Sequence, residues 1–551
     1  MSSTVRPSRP ARSAALRVRR VRLGIAGLAV AGVMAAAAAP AVEAAPAAPS
    51  VATVSRALVN GSGSGWSSNA VAQWIADVET RGLKVVYTAN GSATGRKDFA
   101  QRTTDFAVSD IGYQGVDPRD PTIKDDSQGR AFAYLPIVAG GTSFPYHITV
   151  GGKLLRNLRL SGPTLAKIFT NQITNWSDPA ITADNNGRKL PSIPIIPVVH
   201  SEGSGSTAQF TRYLDTVHPT IWRPFGGDGL TEYYPRKGAA IAQNGSDGVM
   251  NFIAAASGNG SIGYDEYSYA LGKNYPVAKI LNAGGYYTLP NQYNVAVALT
   301  QAQINQDKSD PNKYLLQNLD KVYTYKDKRT YPLSSYSYMI IPTAGDDARM
   351  NTAKRQTLAD YLTYSVCEGQ KEMGPIGYSP LPINLVRASF EQTKRLKAAD
   401  GGVDVRAVDV TKCNNPTFDA KNPARNYLSQ IAPMPAACDK QGAGPCSSST
   451  DSGTGNPTGG KAPGSPGGSG GGTGGTGGTQ VDPGTGQVVT DPSTGDTTLV
   501  ASDLVGTPTE VSAYSSSGST TMLAALVAGL FILAVVLPPF LVRRFNRSDT
   551  P

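Results

Sequence analysis

Residues 61–110 read GSGSGWSSNA VAQWIADVET RGLKVVYTAN GSATGRKDFA QRTTDFAVSD, and their pattern decides the fold. After the Gly-Ser turn, Val71, Trp74, Ile75 and Val78 recur at helical spacing, and Ser67, Ser68 and Asn69 are all suitable N-caps. Gly82 ends that helix, and Leu83, Val85 and Tyr87 then alternate as a strand. Asn90-Gly91-Ser92 turns into a second helix that runs through Phe99, and Thr104 to Val108 read as the next strand, which ends at Ser109-Asp110. Strand and helix alternate, so an α/β fold on a parallel sheet is expected, with ligands beyond the carboxyl ends of its strands.

Two more glycine–serine turns repeat the first. GSGSGW (Gly61–Trp66), GSATG (Gly91–Gly95) and EGSGST (Glu202–Thr207) each stand just before an expected helix. The first amides of a helix have no internal partner, and the helix dipole makes that end positive. One such turn is an ordinary capped loop; three that converge make an oxyanion site with few charged side chains. Asp110 beside such a site suits an anion that carries a proton, because an ionised carboxylate only accepts hydrogen bonds. As a lone residue, Asp110 reads equally well as a turn or N-cap aspartate.

The 551 residues divide unevenly. The first 44 carry seven arginines against one glutamate, which accounts for six of the ten net positive charges. Arginines from Arg6 to Arg22, an apolar stretch to about Val42 and small residues at Val42-Glu43-Ala44 predict a signal peptide over 1–44. Arg19-Arg20 leaves the export route open between the general and the twin-arginine pathways. Residues 52–400 look like one globular unit, 401–446 like an extension with three cysteines, and 447–518 like a disordered stalk too poor in apolar residues to fold. A flexible stalk of about 70 residues has a reach of roughly 45 Å. The apolar run 522–542, followed by Arg543, Arg544 and Arg547, predicts one C-terminal transmembrane helix, with 543–551 a cytoplasmic tail and the binding domain outside the cell membrane. The cysteines Cys367, Cys413, Cys438 and Cys446 all lie in the part expected to be exported, where disulfides persist. Three pairings are possible, and Cys438–Cys446 with Cys367–Cys413 is the favoured one.

No basic stripe with interleaved aromatics marks a nucleic-acid surface. The histidines His147, His200 and His218 are scattered, and HExxH, GxSxG and Walker motifs are absent from the sequence. The reading is therefore a binding protein rather than an enzyme, with no metal and no cofactor.

Together these segments resemble the phosphate-binding protein of the Pst-type phosphate ABC importer, over about residues 57–385. The resemblance is carried by GSGSGWSSNAVAQW, NGSATGRKDFAQRTTDFAVSD, SGPTLAKIFTNQITNWSDPAI, IPIIPVVHSEGSGSTAQFTRYL, DGVMNFIAAASGNGSIGYDEYSYA and GPIGYSPLP, in that order. It implies a two-lobed type II periplasmic-binding-protein fold, with lobe one at 52–142 and 331–400 and lobe two at 143–330. AYLPIVAGG near Leu135 and YPLSSYSYMII from Tyr331 look like the crossings. The implied phosphate-binding set is Gly65, Trp66, Ser92, Asp110, His200, Ser204, Gly205 and Ser206, supported by Ser109 and Glu202. The family commonly has threonine at the position of Gly65, phenylalanine at Trp66 and arginine at His200. Arginine is always charged, whereas an unperturbed histidine is largely neutral at neutral pH, so the departure implies a weaker, pH-dependent site, a preference for another oxyanion, or loss of ligand binding. The implied partners are inorganic phosphate or a related oxyanion and the permease and ATPase of an importer. The stalk and membrane span also fit a tethered surface phosphate sensor, buffer or adhesion module without a transport role.

Overall fold

The computed structural model describes residues 55–117, 120–422 and 424–443. The expected signal peptide, stalk, membrane span and tail, and Cys446, lie outside the described residues. Among the described residues no helix is long and apolar enough to cross a membrane.

The fold is mixed α/β. Strand β1 (Val59–Gly63) leads into helix α1 (Ser68–Glu79), β2 (Val85–Thr88), α2 (Ser92–Ala100) and β3 (Phe106–Ser109). β1 lies between β2 and β3 and is parallel to both. The 61–110 stretch was read as opening on a turn, but its first three residues belong to β1. Glycine hid the strand: a Cβ at Gly61 would come 2.3 Å from the Phe106 ring, and Gly63 has φ +139°. Bare backbone at these two positions lets the strand lie against its neighbours. α1 packs Val71, Trp74 and Val78 into the core, as its spacing requires.

The sheet is mixed rather than all parallel. Strand Ser334–Pro342 runs antiparallel to β3 and to the strand Phe132–Ser143, pairing with the latter from Ser334↔Gly141 to Pro342↔Phe132. Both long strands are buried at every residue, including the serines of Ser334–Pro342. They arise where two chain crossings were expected.

Beyond them stands a second half of the molecule. One group of strands is parallel, with Ile196–His200 between Ile241–Gln243 and Ser261–Gly263. Another sets Lys279–Leu281 between Arg159–Leu160 and Tyr287–Thr288. The short strand Asp265–Glu266 joins the six-stranded sheet through Ser143 and Thr142. The extension is largely ordered up to residue 443: Cys413 is bonded to Cys367, and Cys438 is also disulfide-bonded.

Candidate functional site

Asp110 follows β3 at the carboxyl end of the parallel strands and is 1% exposed. Ser64 Oγ lies 2.9 and 2.7 Å from its two oxygens, and Ser337 Oγ donates to Oδ1 at 2.7 Å. Ser92 Oγ, on the first residue of α2, reaches Oδ2 at 3.2 Å. Among the described residues no cation pairs with this carboxylate. Burial raises its pKa; the hydroxyls of Ser337, Ser64 and Ser92 pull the other way, and the charge of Glu232 adds to the rise.

The third glycine–serine loop closes over this carboxylate from the second half. Ser204 accepts a hydrogen bond from the Thr207 amide and caps helix Gly205–Val217. A Cβ on Gly205 would sit 1.9 Å from Asp110 Oδ2 and 2.6 Å from Ser92 Oγ, so only glycine fits this approach. The Ala93 amide donates to the Gly203 carbonyl at 3.1 Å, and Gln209 Nε2 donates to the Asp110 carbonyl at 2.8 Å. The two halves are thus shut against each other at the site. A cavity of about 240 Å³ reaches Asp110 from the other side, between Ile111, Gln209, Leu316 and Tyr338.

The remaining expected residues divide into two groups. Gly65 and Ser206 lie at the closed site: a Cβ on Gly65 would come 3.1 Å from Ser246 Oγ, and Ser206 Oγ is buried without a hydrogen-bond partner among the described residues. Trp66 is a packing residue through its ring, which donates to Thr142 Oγ1 at 3.3 Å and sits 5.8 Å edge-on from Tyr378. Ser109 is engaged within the protein: its hydroxyl accepts from Arg96 Nη1 at 2.9 Å and donates to the Ile111 carbonyl at 2.7 Å.

His200 differs from the expectation drawn from its free pKa. Its Nδ1 lies 2.7 Å from Glu202 Oε1 and its Nε2 lies 3.2 Å from the Tyr264 carbonyl. A carbonyl and a carboxylate only accept, so this pairing favours the doubly protonated imidazole. Burial lowers its pKa, but the Glu202 hydrogen bond, the charges of Asp265 and Glu202 and the Tyr264 carbonyl together raise it above the ordinary value. Burial likewise pushes Glu202 up, but the His200 hydrogen bond and charge and the Gly245 amide hold it below its ordinary range. The surroundings of His200 thus favour its charged form, and both ring nitrogens already have partners. The pair links the strand Ile196–His200 to the start of helix Gly245–Ala254, through Gly245 N donating to Glu202 Oε2 at 3.0 Å.

Sequence reading missed Ser64 and Ser337 as donors to Asp110, although both lie in quoted stretches. It also missed Arg96, which is fully buried and joins the halves. Arg96 Nη2 donates to Glu232 at 2.5 Å, and its Nε donates to Asp125 at 3.0 Å.

A fold of this kind, with a carboxylate and hydroxyls shut between two α/β halves, defines a solute-binding class. The family model described as the PBP superfamily domain matches residues 39–368. Among curated relatives, phosphate-binding protein PstS 2 of Mycobacterium tuberculosis is 31% identical over 327 residues, 59% of this chain and 83% of that protein. PstS 3 of the same organism is 32% identical over 330 residues, 58% of this chain and 82% of that protein. PstS of Xylella fastidiosa is 28% identical over 330 residues, covering 60% and 83%. The chain belongs to the PstS-like phosphate-binding proteins of the PBP superfamily.

Proposed function

We propose that the chain is an extracytoplasmic phosphate-binding protein that delivers its ligand to the permease and ATPase of an ABC importer. The observation that carries this reading is the environment of Asp110. Its carboxylate is buried among hydroxyl donors, and among the described residues no cation pairs with it, so an anion placed there must bring a proton to share. Monohydrogen phosphate has that proton; sulfate does not. The first-turn amides of the helices that begin at Ser68, Ser92 and Gly205 supply further donors without adding charge. In this reading the two halves are the lobes of a type II periplasmic-binding-protein fold that close on the ligand. His200 and Glu202 hold the third loop in place rather than touch the anion, and the export signal and membrane span keep the domain at the cell surface.

Calorimetric titration of the full chain with phosphate, and with sulfate as control, tests this reading. Saturable phosphate binding with no sulfate binding is the expected outcome. No binding of either anion would remove it, and the tethered surface module without a transport role would take its place.

A further inference from the structure

A second buried carboxylate, Asp265, lies beside His200 and Ser246, and Ser246 in turn faces Gly65 of the first Gly-Ser loop. Asp265 is completely buried in the short strand that pairs with the end of the long strand Phe132–Ser143. Its Oδ1 accepts from the Glu266 amide at 2.8 Å, while Oδ2 has no hydrogen-bond partner among the described residues. Two buried hydroxyls are in the same condition. Ser246 Oγ lies in the first turn of helix Gly245–Ala254, facing Gly65, and Ser206 Oγ lies in the first turn of helix Gly205–Val217. Buried polar atoms are normally satisfied, so these three, two of them in the first turns of helices, are groups that a bound ligand would pair.

The groups around Asp265 fix its charge balance. His200 and Glu202 face it from the strand Ile196–His200 and its loop, Glu266 follows it, and Tyr269 approaches from the next helix. Ser246 Oγ is near enough to favour the charged carboxylate without reaching hydrogen-bonding geometry. Burial comes first and pushes Asp265 up to about 6, against the opposing pull of the His200 cation. The titratable groups here are three carboxylates, Asp110, Asp265 and Glu202, against one imidazole, His200. A dianion is repelled there unless it brings protons for the carboxylates.

We propose that Asp265 is a second proton acceptor in this site, so that the bound ligand is the phosphate monoanion with two hydroxyls, one donating to Asp110 and the other to Asp265. The inference rests on the phosphate-binding reading and narrows it to one ligand species. Phosphate in mildly alkaline solution carries mostly one proton, so binding there draws one further proton from the solvent and places it between the ligand and Asp265. Above neutrality the affinity then falls about tenfold per pH unit, because one proton is taken up.

The test is calorimetry of the full chain with inorganic phosphate at about pH 8, in two buffers of different ionisation heat, which counts the protons taken up on binding. The wild-type chain should take up close to one proton, and Asp265→Asn close to none, with a flat affinity profile above neutrality. Ser246→Ala, which leaves both carboxylates, should keep the wild-type count. If Asp265→Asn does not fold, the wild-type count decides by itself. Phosphate binding without proton uptake, or equal uptake in wild type and Asp265→Asn, overturns the inference and leaves the phosphate reading standing. Absence of any phosphate binding by the wild-type chain overturns that reading, and this inference with it.

Discussion

A Cβ at position 205 would overlap a carboxylate oxygen, at 1.9 Å, and a serine hydroxyl, at 2.6 Å. Neither can give way cheaply, because Asp110 is held by Ser64, Ser92 and Ser337 at once. The backbone at 205 needs no special φ, so alanine there is a test of space and not of conformation. Gly205→Ala should fold, at a cost of about 1–3 kcal/mol for overpacking. Its phosphate affinity should drop by about a hundredfold, since a displacement of about 1 Å is enough to spoil such a site. Thermal unfolding and calorimetry on the same preparation separate the two effects. Wild-type affinity in this variant would mean that the third loop does not close on Asp110 when ligand is bound.

At the scale of elements, α2 does two jobs on one face. Ser92 opens the helix and reaches Asp110; Arg96, one turn later, reaches across to Glu232 in the second half. Arg96→Met should cost about 3–5 kcal/mol, because it leaves Glu232 and Asp125 facing each other without their cation. Glu232→Gln keeps the Arg96–Asp125 pair, so it should cost less stability yet speed phosphate release by loosening the closed form. Denaturant unfolding and stopped-flow release measure the two. Equal release rates in wild type and Glu232→Gln would show that the contact does not latch the halves. What sequence reveals here follows from range. The alternation from α1 to β3 was legible because helical and strand periods are local signals, whereas the long strands were placed only through the family resemblance. β1 was lost because glycines at 61 and 63 imitate a turn. Asp110 could be picked out at a strand end beside a Gly-Ser loop, but Ser337, 227 residues away, could not. The Arg96–Glu232 pair spans 136 residues, and neither side chain sits in a pattern that marks it. The charge of His200 also depends on a carbonyl 64 residues away, which its residue type does not reveal.

At the scale of the whole molecule, the extension ties the halves together. Cys413 is bonded to Cys367 at the end of helix Thr352–Val366, and the side chains of Asn415 and Thr417 both donate to the Leu381 carbonyl. Further on, Arg329 Nη1 donates to the carbonyls of Ser429 and Ala432. Asp439 then enters the second half, where its carboxylate is buried 3.0 Å from Arg159 Nη2 and 2.8 Å from Lys279 Nζ. One end is therefore covalent and on the first half; the other is ionic, buried and on the second. Under the proposed closure, separation of the halves stretches this strap, which favours the closed form. Removing the disulfide, whose cysteines are 46 positions apart, should cost up to about 4 kcal/mol by the chain-entropy argument. Asp439→Asn leaves Lys279 buried without its counter-charge and should cost about 3–5 kcal/mol. Both Cys413→Ser and Asp439→Asn should also weaken phosphate binding, because each releases one end of a restraint on opening. Melting curves with and without phosphate read both quantities. Variants that melt lower but keep the full ligand-induced rise would show that the extension stabilises the fold without restraining its opening.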